Sequence, residues 1–471
     1  MRISFVQWIC FLMLPCSASG DREHKWKTSA CHGWSCYDPA SLKHPKLAIA
    51  FGSSDDVVLA KKREETYHCG LPAFPAQDVP PDVFGDVAWS EKPFILREDP
   101  TLLDLQDKFA KDRLIKDSKK HKLEARVGTS SDIVLNKGEG KEIVKLDEYL
   151  ESLIHRPRFD GETRLEHPYL FDRHAKLLSL PGYGFPVHEM ITSWNETAFT
   201  PAATGSIFLV GGAESGVGFH RHTAALHMAI HGSKRWFLYH PEKNPPGGVH
   251  GAWPILDWLD KVYVTLGART APIECIQEAG DIIYIPEGWY HAVINLSDTV
   301  AVSIQRNEVT TKFLDLEFAA KMAKDIRTQA KRLKKLIKMQ PDNLEAKFQL
   351  FRAFKDSKPD KALGIAHEVI DKDPFFVDIQ YELANLVADM VIAGLPAAVQ
   401  QFNEYFLAWK PYLENNTRNI QANQLLSQYY FLMKDKQMGL EYLRRNIHLQ
   451  QIGFDRPSMP DFREMLDNAM R

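Results

Sequence analysis

Long apolar runs are what this sequence most plainly lacks. Beyond its first 20 residues no window is both apolar and long enough for a membrane-spanning helix, so no integral membrane span is expected in the mature chain. Charge of one sign is lacking too: 58 Lys and Arg stand against 61 Asp and Glu, a formal net charge of −3. That balance speaks against a chain that holds nucleic acid by overall basicity. No cysteine pair has the CxxC spacing of a redox motif, and no zinc-cluster pattern or KDEL-type retrieval signal is present. What is there is the composition of a folded globular protein, 44% hydrophobic and 25% charged, in a chain of 471 residues, long enough for two or three domains.

The one short apolar stretch lies at the start. Arg2 is followed by Phe5 to Leu14 and then by the small residues Ser17-Ala18-Ser19-Gly20, the pattern of a secretory signal peptide over residues 1–20. Two of the six cysteines fall within it. Cys31, Cys36, Cys69 and Cys275 remain as disulfide candidates, and four cysteines allow three pairings; Cys31 and Cys36 read as a local loop clip. Asn195, Asn295 and Asn415 each begin an N-x-[ST] sequon, the glycosylation acceptor of a secretory-pathway chain. The expected location is the endoplasmic reticulum lumen or, equally open, the extracellular space.

Residues 21–90 read as an irregular, cysteine-containing lead-in. A domain of short strands and flanking helices is expected over 91–307: Pro93-Phe94-Ile95-Leu96 as an entering strand, a helix from Leu102 to Leu114, and a strand at Ile143–Leu146 running into a helix through Leu150. Between Gly205 and Gln305, apolar runs punctuated by Gly, Pro and Asn predict a β-barrel or jelly roll, with strands at Ser206–Val210, Lys234–Tyr239, Asp281–Ile285 and Thr299–Ile304. Residues 308–340 read as a basic linker helix, with Phe318, Met322, Ile326, Leu333 and Ile337 on one side and the charge run around Lys331 as its solvated face. Over 341–471 helix-turn-helix units follow one another. Pro341 and Pro374 lie 33 residues apart, close to the roughly 34-residue period of TPR repeats, so an α-helical, TPR-like region that receives a protein partner is expected.

Chemistry concentrates at Gly218-Phe219-His220-Arg221-His222. On a strand, His220 and His222 share a face, because side chains alternate with period two. Far downstream, Gly280-Asp281 leads through Pro286 and Gly288 to His291. A short-range HxH with a remote third His on a later strand is how a barrel closes three ligands around one metal. Trp289 and Tyr290 read as barrel packing, and Glu287 as a solvated turn acid or a partner of His291.

The order of HxH, a strand opening with Lys234, a long insertion, Gly280-Asp281 and then Trp289-Tyr290-His291 resembles the JmjC family of cupin oxygenases over about Lys92 to Arg306, and within it a small lumenal branch. The resemblance implies an α+β protein with a JmjC double-stranded β-helix (jelly-roll, cupin) barrel. It implies Fe(II) and 2-oxoglutarate as cofactors, hydroxylation or demethylation of a protein or peptide, His220, His222 and His291 as the metal ligands, and Lys234 as the co-substrate carboxylate's partner. Two positions depart from the family pattern. His222 stands where active members usually carry Asp or Glu, and Val217 stands where many carry a hydroxyl-bearing Thr, so that either co-substrate binding is weakened or Lys234 works with an unrecognised Tyr or Ser. Three imidazoles suit Zn or another divalent metal as well as Fe. Two functions follow: a metal- and 2-oxoglutarate-dependent protein hydroxylase, or a catalytically inactive JmjC scaffold that binds partners through its barrel and helices.

Overall fold

The computed structural model describes residues 69–76, 92–135, 140–153, 159–160, 163–164, 167–183, 206–249, 253–306, 309–392, 420–451 and 461–470, with the single positions 407, 410 and 414. The signal segment, Cys31, Cys36, Asn195 and Asn415 lie outside them. Strand β1 (Ala73–Pro75) runs parallel to β2 (Phe94–Arg97), and helices α1 (Pro100–Asp104) and α2 (Lys111–His121) lead to β3 (Glu124–Gly128). Then come α3 (Ser130–Leu135), β4 (Glu142–Lys145), α4 (Leu146–Ser152), a small ribbon of β5 (Phe159–Asp160) and β6 (Thr163–Arg164), and β7 (Tyr169–Asp172). The barrel strands β8 (Ser206–Gly211), β9 (Gly216–His220), β10 (Ala225–His231) and β11 (Lys234–Tyr239) precede an insertion carrying α5 (Ile255–Lys261). Strands β12 (Ile273–Gln277), β13 (Ile282–Ile285), β14 (Tyr290–Asn295) and β15 (Thr299–Gln305) close the barrel.

Two sheets face each other. The larger has the order β1-β2-β13-β10-β15-β8-β7-β3-β4 and the smaller β12-β11-β14-β9, with every pairing but β1–β2 antiparallel. Period-two alternation sorts their side chains. On β11, Trp236 and Leu238 point between the sheets, where they meet Ile207, Leu209, Ile283 and Ile285, while Phe237 and Tyr239 join the outer core. The outer face of the larger sheet packs Leu226, Met228 and Val302 against Leu102, Phe109, Leu114 and Leu150. Four layers result, helix on sheet on sheet on helix, and the jelly roll expected from the strand pattern is the observed core.

The C-terminal part is helical: α6 (Lys312–Lys321), α7 (Ile326–Met339), α8 (Leu344–Phe354), α9 (Pro359–Lys372), α10 (Val377–Ile392), α11 (Ile420–Leu432), α12 (Lys436–Leu449) and α13 (Phe462–Met470). It shares one apolar cluster with the smaller sheet, in which Phe219, Phe237 and Tyr290 join Trp258, Leu333, Phe351 and Phe376. Among the described residues no helix is long and apolar enough to cross a membrane.

Two helical expectations are corrected. The run Leu102–Leu114 is two helices: Asp99 caps the first by accepting from the Leu102 amide, and the turn between them still leaves all four apolar side chains buried. The linker is also two helices, because the Asp325 side chain accepts from the Thr328 amide and starts a new one. Met322 and Ile326 are therefore exposed, at 77% and 61%, instead of sharing a buried stripe with Leu333.

Candidate metal centre

The pocket opens between the sheets. Tyr169, Phe171, Leu209, Ala225, His227, Ile285, Ser303 and Gln305 line it from the larger sheet, and Val217, His220, Trp236, His291 and Val293 from the smaller; His222 lies at its edge. It encloses about 430 Å³, solvent at its mouth included. His220 is the last residue of β9 and pairs in register with His291 on β14. His222 follows two positions beyond the strand end, yet its ring centroid is 4.7 Å from that of His291, and His220 lies 4.2 Å from His291. The three expected ligands meet: one ring nitrogen from each lies within 4.8 Å of the others, a group that could hold a metal ion.

Backbone carbonyls decide which nitrogens those are. His220 Nδ1 faces Gly218 O at 2.9 Å, His222 Nδ1 faces Thr223 O at 2.6 Å, and His291 Nδ1 faces Trp289 O at 3.0 Å. A carbonyl only accepts, so each Nδ1 must donate and each ring carries its proton there. Burial pushes His220 down to about 4 and His222 to about 3, with Arg173 adding to the first and His220 to the second. Burial and then the other two rings hold His291 well below the usual histidine range. The rings are neutral at neutral pH, and their Nε2 lone pairs converge. His222 Nε2 and His291 Nε2 are 3.1 Å apart with no proton to share, a repulsive contact that a cation between them would turn into ligation. The donor set therefore fits a divalent metal.

Lys234 opens β11 and is completely buried. Its Nζ donates to Asn295 Oδ1 at 2.7 Å, Tyr169 Oη at 3.0 Å and Thr299 Oγ1 at 3.1 Å, and burial lowers its pKa to about 7. Lys234 itself is absent from the pocket wall. Tyr169 lines the wall, and its hydroxyl is the group through which the amine reaches it. Tyr169 is a pocket tyrosine that sequence reading did not single out; its place on β7, brought beside β8 by the sheet, puts it within reach of Lys234. Val217 lines the pocket as an apolar residue.

His227, given no role from sequence, is also in the wall. It packs edge-on against Trp236 at 4.9 Å, and its buried Nδ1 has no protein partner. Asn295 is corrected. It is 1% exposed, its Oδ1 accepts from Lys234 and its Nδ2 donates to Ser215 Oγ at 2.8 Å, so the folded chain offers no amide there for a glycan. Glu287 is neither solvated nor bonded to His291: its carboxylate accepts from the amides and hydroxyls of Thr310 and Thr311 at 2.7 to 3.0 Å. Of the cysteine candidates, Cys69 and Cys275 form a disulfide that ties the lead-in to β12.

Comparison with known proteins gives the same domain. Residues 83–307 match the family described as a cupin-like domain. The mouse "JmjC domain-containing protein 8" is 42% identical over 104 residues, 22% of this chain and 37% of that protein. The Arabidopsis thaliana "Arginine-specific demethylase JMJ22" is 38% identical over 107 residues, and the Danio rerio "2-oxoglutarate and iron-dependent oxygenase JMJD4" 40% over 82, covering 20% and 16% of this chain and 21% and 19% of those proteins. The chain therefore spans well under half the length of these relatives, and the helices after residue 307 lie beyond the matched domain. Over residues 83–307 this chain is a cupin-like domain related to the JmjC proteins.

Proposed function

We propose that this chain is a secretory-pathway, metal- and 2-oxoglutarate-dependent protein hydroxylase. The observation that carries the reading is the trio of Nε2 lone pairs, aimed at one point by three backbone carbonyls. Relatives named as an iron- and 2-oxoglutarate-dependent oxygenase and as a demethylase support the reaction class. His220, His222 and His291 would hold the metal, which with 2-oxoglutarate and O2 supplies the oxidation of a substrate C–H to C–OH, leaving succinate and CO2. Lys234 and the Tyr169 hydroxyl would take the distal carboxylate, and Trp236, Val217 and Ile285 exclude water around it. The compartment is argued from the N-terminal segment and from the Cys69–Cys275 bond, since disulfides persist in oxidising surroundings.

A second reading, a catalytically inactive JmjC scaffold, is favoured by one specific arrangement. All three Lys234 N–H bonds already have partners in the barrel wall, and His222 replaces the carboxylate ligand of the iron oxygenases. Metal analysis and 2-oxoglutarate turnover on secretory-expressed wild type, His291→Ala and His222→Asp separate the two. Succinate from the wild type, lost in His291→Ala, supports the enzyme. A metal-loaded, folded wild type that produces none with iron, ascorbate and a broad peptide set rejects it, and turnover gained in His222→Asp marks a site that has lost its chemistry.

A further inference from the structure

Both segments that carry the metal-binding histidines are gripped from outside the barrel by the same short stretch of chain. Arg221 sits between His220 and His222 and points away from the pocket. Its guanidinium lies 4.4 Å from the Tyr290 ring centroid and 5.5 Å from that of Phe313, and it pairs with Glu317 on α6. Both members of the pair are buried, and Glu317 also accepts from Lys321 at 2.9 Å.

The second ligand segment is held just upstream of His291. Glu287 accepts from four donors, the amides and hydroxyls of Thr310 and Thr311, the residues leading into α6. Gly288, at φ +79°, passes so close to Phe313 that any Cβ would run into the ring. The Gly288 amide then donates to His222 O at 2.9 Å, and Trp289 O accepts from His291 Nδ1. The run 287–289 thereby ties together two of the three ligands and sets the tautomer of one. Helix α6 packs on α7, and Leu316 and Ala320 belong to the cluster that includes Leu333 and Phe351.

We infer that Thr310–Lys321 is a clamp that positions the metal centre from the helical region, with Glu287, Arg221 and Glu317 as positioning residues. The inference rests on the metal-site reading above and deepens it: the barrel strands bring the histidines together, and the clamp fixes the angle at which they meet. A buried charge pair and a carboxylate held by four donors are directional and costly to disturb, so displacement of α6 is transmitted to the imidazoles and not absorbed between them.

Cobalt(II) titrated into the full chain reads the centre without turnover: visible absorption reports coordination geometry, and chelator competition gives the dissociation constant. Thr310→Val with Thr311→Val removes two hydroxyl donors to Glu287 at little change of shape. Arg221→Met with Glu317→Leu removes the buried pair without stranding a charge. Each double variant is expected to bind cobalt at least ~10-fold more weakly and with shifted bands, at unchanged circular dichroism. Asp342→Asn, which breaks an exposed ion pair with Lys372, is the control and leaves both readings at wild-type values. The threonine pair keeps the test decisive should the core pair be needed for folding. Folded variants with wild-type cobalt affinity and spectrum overturn the clamp and leave the metal reading standing, whereas wild type that takes up no cobalt overturns both.

Discussion

His222 and His291 approach to 3.1 Å through their Nε2 atoms while each gives its only ring proton to a backbone carbonyl. Two lone pairs held this way repel, a contact that a divalent ion bound between them would relieve. Zinc or cobalt is expected to raise the thermal midpoint of wild type, and to go on raising it as free metal climbs above the dissociation constant. His291→Ala removes one ligand and is expected to cost at least ~100-fold in affinity, together with the metal-induced rise in midpoint, as read by chelator competition and calorimetry. An unchanged rise in that variant would place the metal elsewhere.

Lys234 gives a dependence on pH with a defined sign. Burial lowers its pKa from 10.5 to about 7, so between those values the unfolded chain binds a proton that the folded chain does not. The cost of burying the amine is fully present below pH 7 and is relieved as pH rises towards 10.5. Across that window the difference in stability between wild type and Lys234→Met should grow in favour of wild type by up to about 1.4 kcal/mol per pH unit. Denaturant midpoints at pH 7, 8 and 9 test it; parallel curves refute it.

The Cys69–Cys275 bond closes a loop with a sequence separation of 206 residues. Cys69→Ala with Cys275→Ala is expected to lower stability by about 2–4 kcal/mol, measured by chemical denaturation under oxidising conditions. A reductant should destabilise wild type by a similar amount and the double variant much less, by no more than a Cys31–Cys36 clip contributes.

Asn295 begins a sequon, but its amide works inside the barrel. Asn295→Gln in secreted protein should therefore leave glycosidase-sensitive mobility unchanged. Displacing the acceptor of Lys234 should lower stability by about 1–3 kcal/mol. A mobility shift in this variant would show that Asn295 carries a glycan.

Phe376 is 1% exposed and lies in the cluster shared by the helices and the smaller sheet. Truncation to Ala is expected to cost about 3–5 kcal/mol. Because that cluster is continuous, barrel and helical signals should melt together in wild type. Two separate transitions would contradict a common core.

The histidines were legible in sequence because the information is local: HxH is a three-residue pattern, and the turn before His291 carries its own Pro and Gly. Strands such as Lys234–Tyr239 were legible because a short apolar run bounded by turn residues is also a local signal. Lys234 could be picked out, but not its surroundings, since Tyr169, Asn295 and Thr299 arrive from three other strands whose neighbours are set by topology. Arg221 was invisible between two histidines, and Glu287 was misread, because the partners of both lie in the stretch that enters or forms α6. The helix breaks at 105–110 and 322–325 were missed because an apolar period continues across a turn when the turn keeps the same face buried, or when it ends in a cap such as Asp325.

The order of strands in the larger sheet has a consequence for synthesis. Strand β2 is sandwiched between β1 and β13, with Ile95 opposite Ile283, and β8 lies between β7 and β15, pairing with β15 from Ser206 opposite Ile304 to Gly211 opposite Thr299. A growing chain thus emerges with β2 and β8 able to pair on one side only, with β1 and β7, and their other edges stay open until residues beyond 280 leave the ribosome. For this protein the hazard of misassociation falls during translation, and a chain truncated anywhere before β13 would leave one edge of β2 without its native neighbour.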